Sequence, residues 1–102
     1  MPVEVFVLYN APEDPDAFDA HYVGVHVPLV KRMPNLVQFE VSTGPVDVQG
    51  GDPCHLIARL RYASQGDLEA SLASPEGQTA VMDLSNFASA GVTLVTAEMR
   101  QA

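Results

Sequence analysis

Phe18, Tyr22 and His26, spaced four residues apart, carry the clearest chemical signal in the sequence. Residues at that spacing share one face of an α-helix, so the stripe presents an apolar ring, a phenol and an imidazole to the same neighbour. Imidazole is the side chain most readily set to take up and release protons near neutral pH. In a pocket, His26 can abstract a proton beside a carbonyl or return one to an enolate, as a general acid/base. Tyr22, one turn earlier, can donate a hydrogen bond to the oxyanion that develops. The plainer alternative is that His26 donates to a backbone carbonyl freed by Pro28 and holds a bend.

Other candidates are weaker. His55 opens a strand and, by strict alternation, faces away from the helices, at the open sheet face or near a sheet end and apart from His26. His21 sits about 100° round the helix from Tyr22 and is expected to be exposed. No HEXXH or CXXC spacing joins the three histidines to Cys54, so no metal site is expected. The glycines between Gly44 and Gly51 form no phosphate-binding pattern, and no GXSXG elbow is present. No cofactor is expected. Phe39, Asn86 and Phe87 are placed as substrate-binding lining beside Phe18, or equally, for the two phenylalanines, as core.

These residues must be positioned by regular elements. Val3–Tyr9 is β-branched and aromatic and reads as a strand. Asp14 can cap a helix that Pro15 opens and that runs to about Val25; Pro28 disfavours helical geometry at Val27, so a bend is expected there, then a short turn over Leu29–Met33. Leu36–Thr43 alternates, with Val37, Phe39 and Val41 on an apolar face. A glycine- and proline-rich connection, Gly44–Pro53, leads to a third strand, Cys54–Tyr62. Ser64 caps one helical segment carrying Leu68 and Leu72, and Ser74 a second that begins at Pro75 and ends near Asn86–Phe87. Gly91–Met99 is the fourth strand. The order, βαββαβ, predicts an α+β, ferredoxin-like domain spanning residues 1–102, with a four-stranded antiparallel sheet and helices on one face. The other face would carry Gln38, Glu40, Ile57, Arg59, Arg61 and Glu98. It is either solvated or paired across a dimer.

Composition narrows the partners. Thirteen acidic against five basic residues give a net charge of −8, which repels phosphate backbones and anionic membranes, so neither nucleic acid nor membrane is an expected partner. With 47% hydrophobic and only 18% charged residues, surplus apolar surface favours self-association. The single cysteine, Cys54, reads as a small buried hydrophobe. No apolar run approaches the ~18 residues that span a bilayer, and Met1–Val5 lacks the basic start of a signal peptide. A cytoplasmic protein is expected.

Phe18-Asp19-Ala20-His21-Tyr22 followed by His26-Val27-Pro28-Leu29 resembles the signature of the EthD family. Ala73-Ser74-Pro75-Glu76-Gly77, Asn86-Phe87-Ala88 and Gly91-Val92-Thr93-Leu94 are similar to it as well, in order and spacing. The resemblance implies a dimeric α+β barrel, in which two ferredoxin-like subunits set their open sheet faces together. The family is named for a gene of ethyl tert-butyl ether degradation. The wider superfamily includes monooxygenases that need no cofactor, muconolactone isomerases, and polyketide cyclases or dehydratases. It thus implies a small cofactor-independent enzyme acting on an apolar carbonyl or aromatic metabolite through His26. The alternative is a non-catalytic homodimer that binds a small hydrophobic ligand or assists a partner enzyme.

Overall fold

A computed structural model describes residues 1–102. The strands are β1 (Val3–Asn10), β2 (Leu36–Val41), β3 (Cys54–Tyr62) and β4 (Val92–Glu98). They form one antiparallel sheet in the order β2-β3-β1-β4, the ferredoxin-like α+β arrangement. Helices α1 (Pro15–His21), α2 (Val27–Lys31), α3 (Gln65–Ala73) and α4 (Pro75–Phe87) cover one face. Val3, Val5, Val7 and Tyr9 alternate along β1 and are buried against them, beside Ala58, Leu60 and Tyr62 of β3.

Local chemistry sets the helix ends. The Asp14 side chain accepts from the Ala17 N–H at 3.1 Å, and Pro15 follows at the first helical position. Ser64 accepts from Asp67 N–H at 3.1 Å, and Ser74 from Gly77 N–H at 3.0 Å. At this junction α4 turns back so tightly that a side chain at Gly77 would overlap the Ser71 carbonyl. Tyr62 and Ser71, both fully buried, tie α3 to β3 through hydroxyls 3.0 Å apart.

Three expectations are corrected. The bend at Pro28 does not occur, because Tyr22–His26 widens into a π-helical turn that joins α1 to α2 without a break. Proline in a plain α-helix clashes with the carbonyl four residues back. In the wider turn the Val27 N–H donates to the Tyr22 carbonyl, five residues back, and Val27 itself stays helical. The alternation in β2 breaks at Val37: Leu36 pairs with Tyr62 but Gln38 pairs with Arg61, so Val37 is a bulged residue and is 63% exposed. Leu36 takes its place against the core. Glu98 pairs with Val3, whereas Thr93, Val95 and Ala97 fall on the open face.

That open face carries Phe6, Leu8, Ile57 and Val95 in adjacent registers. Arg59 lies among them, paired with Glu40 and, at 3.5 Å, with Glu4.

Two glycines separate packing from helix propensity. Gly77→Ala is expected to lower stability by about 2 kcal/mol, the scale of overpacking. Gly24→Ala, where an added methyl meets nothing within 4 Å, should leave stability unchanged or raise it by up to about 1 kcal/mol. Urea denaturation of the two variants measures the contrast.

Candidate functional site

The helical stripe forms as its spacing requires. Phe18 and Tyr22 stack with centroids 5.9 Å apart, and the Tyr22 and His26 rings lie 5.5 Å apart. All three side chains are buried. Tyr9, at the end of β1, closes the cluster from the sheet, edge-on to Phe18 and Tyr22 at 5.4 and 5.5 Å. Such edge-to-face pairs hold rings in a fixed mutual orientation.

His26 is held from both ends. Its Nδ1 lies 2.9 Å from Oδ2 of Asp83 on α4, and its Nε2 lies 3.4 Å from the Tyr9 hydroxyl. A carboxylate only accepts, so Nδ1 carries the proton and Nε2 keeps its lone pair. Burial pushes the imidazole below its ordinary value, outweighing the opposing pull of Asp83. His26 is therefore neutral near pH 7, with a basic nitrogen beside two phenols.

Asp83 is 4% exposed yet fully engaged. Besides His26, its oxygens accept from His21 Nε2 at 2.9 and 3.1 Å and from Asn86 Nδ2 at 3.0 Å. Burial would raise this carboxyl, but the bonds from Asn86, His21 and His26 outweigh that, and it titrates below its ordinary range. The two phenols behave oppositely: burial lifts both Tyr9 and Tyr22 well above the usual phenol range, so both stay protonated as donors. The Tyr22 hydroxyl is the one buried side-chain polar atom with no partner in the protein.

Tyr9, Tyr22 and His26 line an apolar cavity of about 90 Å³ between the helices and the sheet, together with Phe39. Leu72, Val81 and Leu94, each 40 to 50% exposed, also line it and mark its mouth between α3, α4 and β4. Phe18 and Phe87 lie behind this wall: Phe87 packs on the His26 ring at 4.7 Å, and Phe18 on Tyr9, Tyr22 and Phe87. Asn86 is exposed and serves Asp83, away from the cavity.

Two histidines differ from expectation. His21 is half-buried and bonded to Asp83, its ring stacked on Phe87 at 5.1 Å. His55 does not follow strand parity. Tyr9 pairs with Leu56 but Asn10 with Cys54, so His55 is bulged and turns toward α1. There its Nε2 lies 2.7 Å from Asp19 Oδ1, and its ring meets Phe18 edge-on at 5.0 Å.

Sequence reasoning missed Asp83 and Tyr9. Both were signalled by periodicity. Asp83 lies three residues after buried Ala80 and four before buried Phe87, an acid on the apolar stripe of α4. Tyr9 continues the inward alternation of Val3, Val5 and Val7. No three His, Cys, Asp or Glu side chains converge as a metal would require, and no helix is long and apolar enough to cross a membrane.

The EthD domain model matches residues 10–91. The chain belongs to the EthD family. An uncharacterised 11.0 kDa protein of the thcB-thcC intergenic region of Rhodococcus erythropolis is 43% identical over 93 residues, covering 89% of this chain and 88% of that one. The crystal structure of an EthD-family protein from Bacillus halodurans C-125 superposes with a TM-score of 0.88 at 30% identity, over 98% of this chain and 100% of the other. SnoaB of Streptomyces nogalater, described as a cofactor-independent oxygenase, reaches 0.70 at 14% identity over 99% and 95% of the two chains. A protein of unknown function from Jannaschia sp. CCS1, described as dimeric and ferredoxin-like, reaches 0.71 at 16% identity over 97% and 100%. The last two share the fold with the EthD chain and speak to nothing finer.

Both groups bound to one another, His26 and Asp83, hold protons more weakly in the folded chain than in the unfolded one. Each therefore stabilises the fold at higher pH. The His26 contribution is complete above its ordinary value of 6.5 and is lost as pH falls through the lower folded value. The Asp83 contribution is complete above 3.8 and is lost below it. Stability is expected to decline as pH drops below about 6.5, and His26→Gln should flatten the first part of that decline. Thermal melts across the acid range measure both slopes.

Proposed function

We propose that this EthD protein is an acid/base enzyme acting on a small apolar carbonyl or aromatic compound. The observation that carries the proposal is the His26 Nε2 lone pair, fixed by buried Asp83 and set beside an unpartnered buried phenol at an apolar cavity. In the proposed reaction, Nε2 removes the proton beside the substrate carbonyl while the Tyr22 hydroxyl donates to the enolate oxygen. Asp83 stabilises the imidazolium that forms, by the logic of an Asp–His pair. Return of the proton at another carbon completes an isomerisation. Loss of a β-hydroxyl as water completes a dehydration, and attack on a second carbonyl a cyclisation. An enolate or phenolate made this way can also react with dioxygen. A cytoplasmic setting fits the unpaired Cys54.

Exchange of α-protons for deuterium in a simple methyl ketone, followed by proton NMR in heavy water, tests the base. His26→Gln should reduce catalysed exchange at least about 100-fold. Asp83→Asn should reduce it comparably, since an amide can donate to Nδ1 and so fix the wrong tautomer. Tyr22→Phe should lose about 10-fold or more with no loss of stability, because the deleted hydroxyl bonds to nothing. Binding without exchange in the unmodified protein overturns the acid/base assignment and leaves a ligand-binding protein.

We also propose that the protein is a homodimer paired through its open sheet faces. Phe6, Leu8, Ile57 and Val95 supply the apolar surface, Val95 being 47% exposed, and the Arg59 pairs neutralise charge within it. Sedimentation should give twice the chain mass, and Val95→Glu should yield monomer. A clean monomer for the unmodified chain at micromolar concentration refutes the pairing.

A further inference from the structure

On the far side of Tyr22 from the small cavity lies a second, roomier cleft of about 640 Å³. We infer that this cleft is the site where the substrate's body rests, and that it selects a neutral hydroxylated compound, such as a phenolic ketone. The inference rests on the acid/base reading of His26 and extends it to substrate class.

Size is the first argument. The inner cavity, at about 90 Å³, is smaller than the roughly 150 Å³ that accommodates benzene. It takes the reacting end of a substrate and little more. The outer cleft falls within the range of about 300–1,000 Å³ typical of small-molecule sites. Tyr22 is the one residue that lines both spaces. The Tyr22 hydroxyl described above is buried, so a substrate lying in the cleft brings its carbonyl to it as that ring swings aside.

Chemistry is the second. The helix side of the cleft is Tyr22, Val23 and Val27, and the sheet side includes Val41 and Leu56, so its walls are largely apolar. Its polar rim is the His55–Asp19 pair, joined at 2.7 Å, with Ser42, whose Oγ accepts from the Ile57 N–H, on the sheet side. The Asp19 oxygen not bonded to His55 is free to accept a further hydrogen bond. Asp19 is half exposed and can be reached. The rim therefore accepts hydrogen bonds where Tyr22 donates one. A ligand that matches has a hydroxyl at one end and a carbonyl at the other. A carboxylate at the rim would face Asp19 and a protein of net charge −8, so a neutral hydroxyl is preferred over an acid. The bulge that turns His55 toward α1 is what builds this rim.

Para-hydroxyacetophenone and acetophenone, titrated into isotope-labelled protein and followed by amide shifts, separate the possibilities. The hydroxylated probe is expected to bind about tenfold tighter, the scale of one hydrogen bond to a charged group, and to shift the amides of Val23, Val41 and His55. Asp19→Ala should erase that preference, and Val23→Trp, at an exposed wall position, should weaken both probes. Equal affinities in the unmodified protein, a preference that survives Asp19→Ala, or no binding at millimolar probe overturns the inference. Deuterium exchange of the methyl protons reports on His26 separately. Preference without exchange keeps the cleft assignment and removes the acid/base one; exchange without preference does the reverse.

Discussion

The Asp83 carboxylate is the point on which the arrangement depends. A charge removed from water is tolerated only when its oxygens are satisfied, and here three donors from two helical segments meet them: His21 and His26 from the first, Asn86 from α4 itself. The same bonds lock α4 against the π-helical turn, fix the tautomer of His26 and give His21 a place inside the protein. One ionised group thereby sets a helix–helix contact, a ring orientation and a proton's address. The surrounding rings of Tyr9, Phe18, Tyr22 and Phe87 keep water away, which strengthens each of those bonds.

How much of this was legible depends on the range of the interactions involved. The caps at Asp14, Ser64 and Ser74, and the strand limits of Cys54–Tyr62, follow from neighbours a few residues away, and the structure matches them closely. The element order then leaves few topologies, and the ferredoxin-like sheet is one of them. Parity failed where a single extra residue entered a strand, at Val37 and His55, because a bulge is decided by pairing across the sheet and leaves no local mark. The π-helical turn escaped for a related reason. Proline rules describe plain α-helix, and a helix that widens ahead of Pro28 evades them.

The candidate site was half legible. The spacing of Phe18, Tyr22 and His26 was enough to put them on one stripe, and Phe39 on the inward face of β2. What spacing could not show is which residues on other elements complete them. Asp83 is 57 residues from His26 in the chain, and Tyr9 is 17; only folding makes them neighbours. Asn86 illustrates the converse: expected in the substrate lining, it lies outside the cavity and holds Asp83 instead. A polar residue on an apolar stripe is thus worth more attention than a polar residue in a polar run, since burial obliges it to find a partner.

The widened turn has a consequence for how such a chain can change. A π-helical turn holds one residue more than the α-turn it replaces, and here that extra residue lets the helix run on through Pro28. A single-residue deletion within Tyr22–His26 returns the segment to plain α-helical pairing and sets the Pro28 ring against the carbonyl four residues back. In this architecture the length of one helical segment carries both the continuity of the fold past Pro28 and the placement of His26 against Asp83, so neither changes without the other.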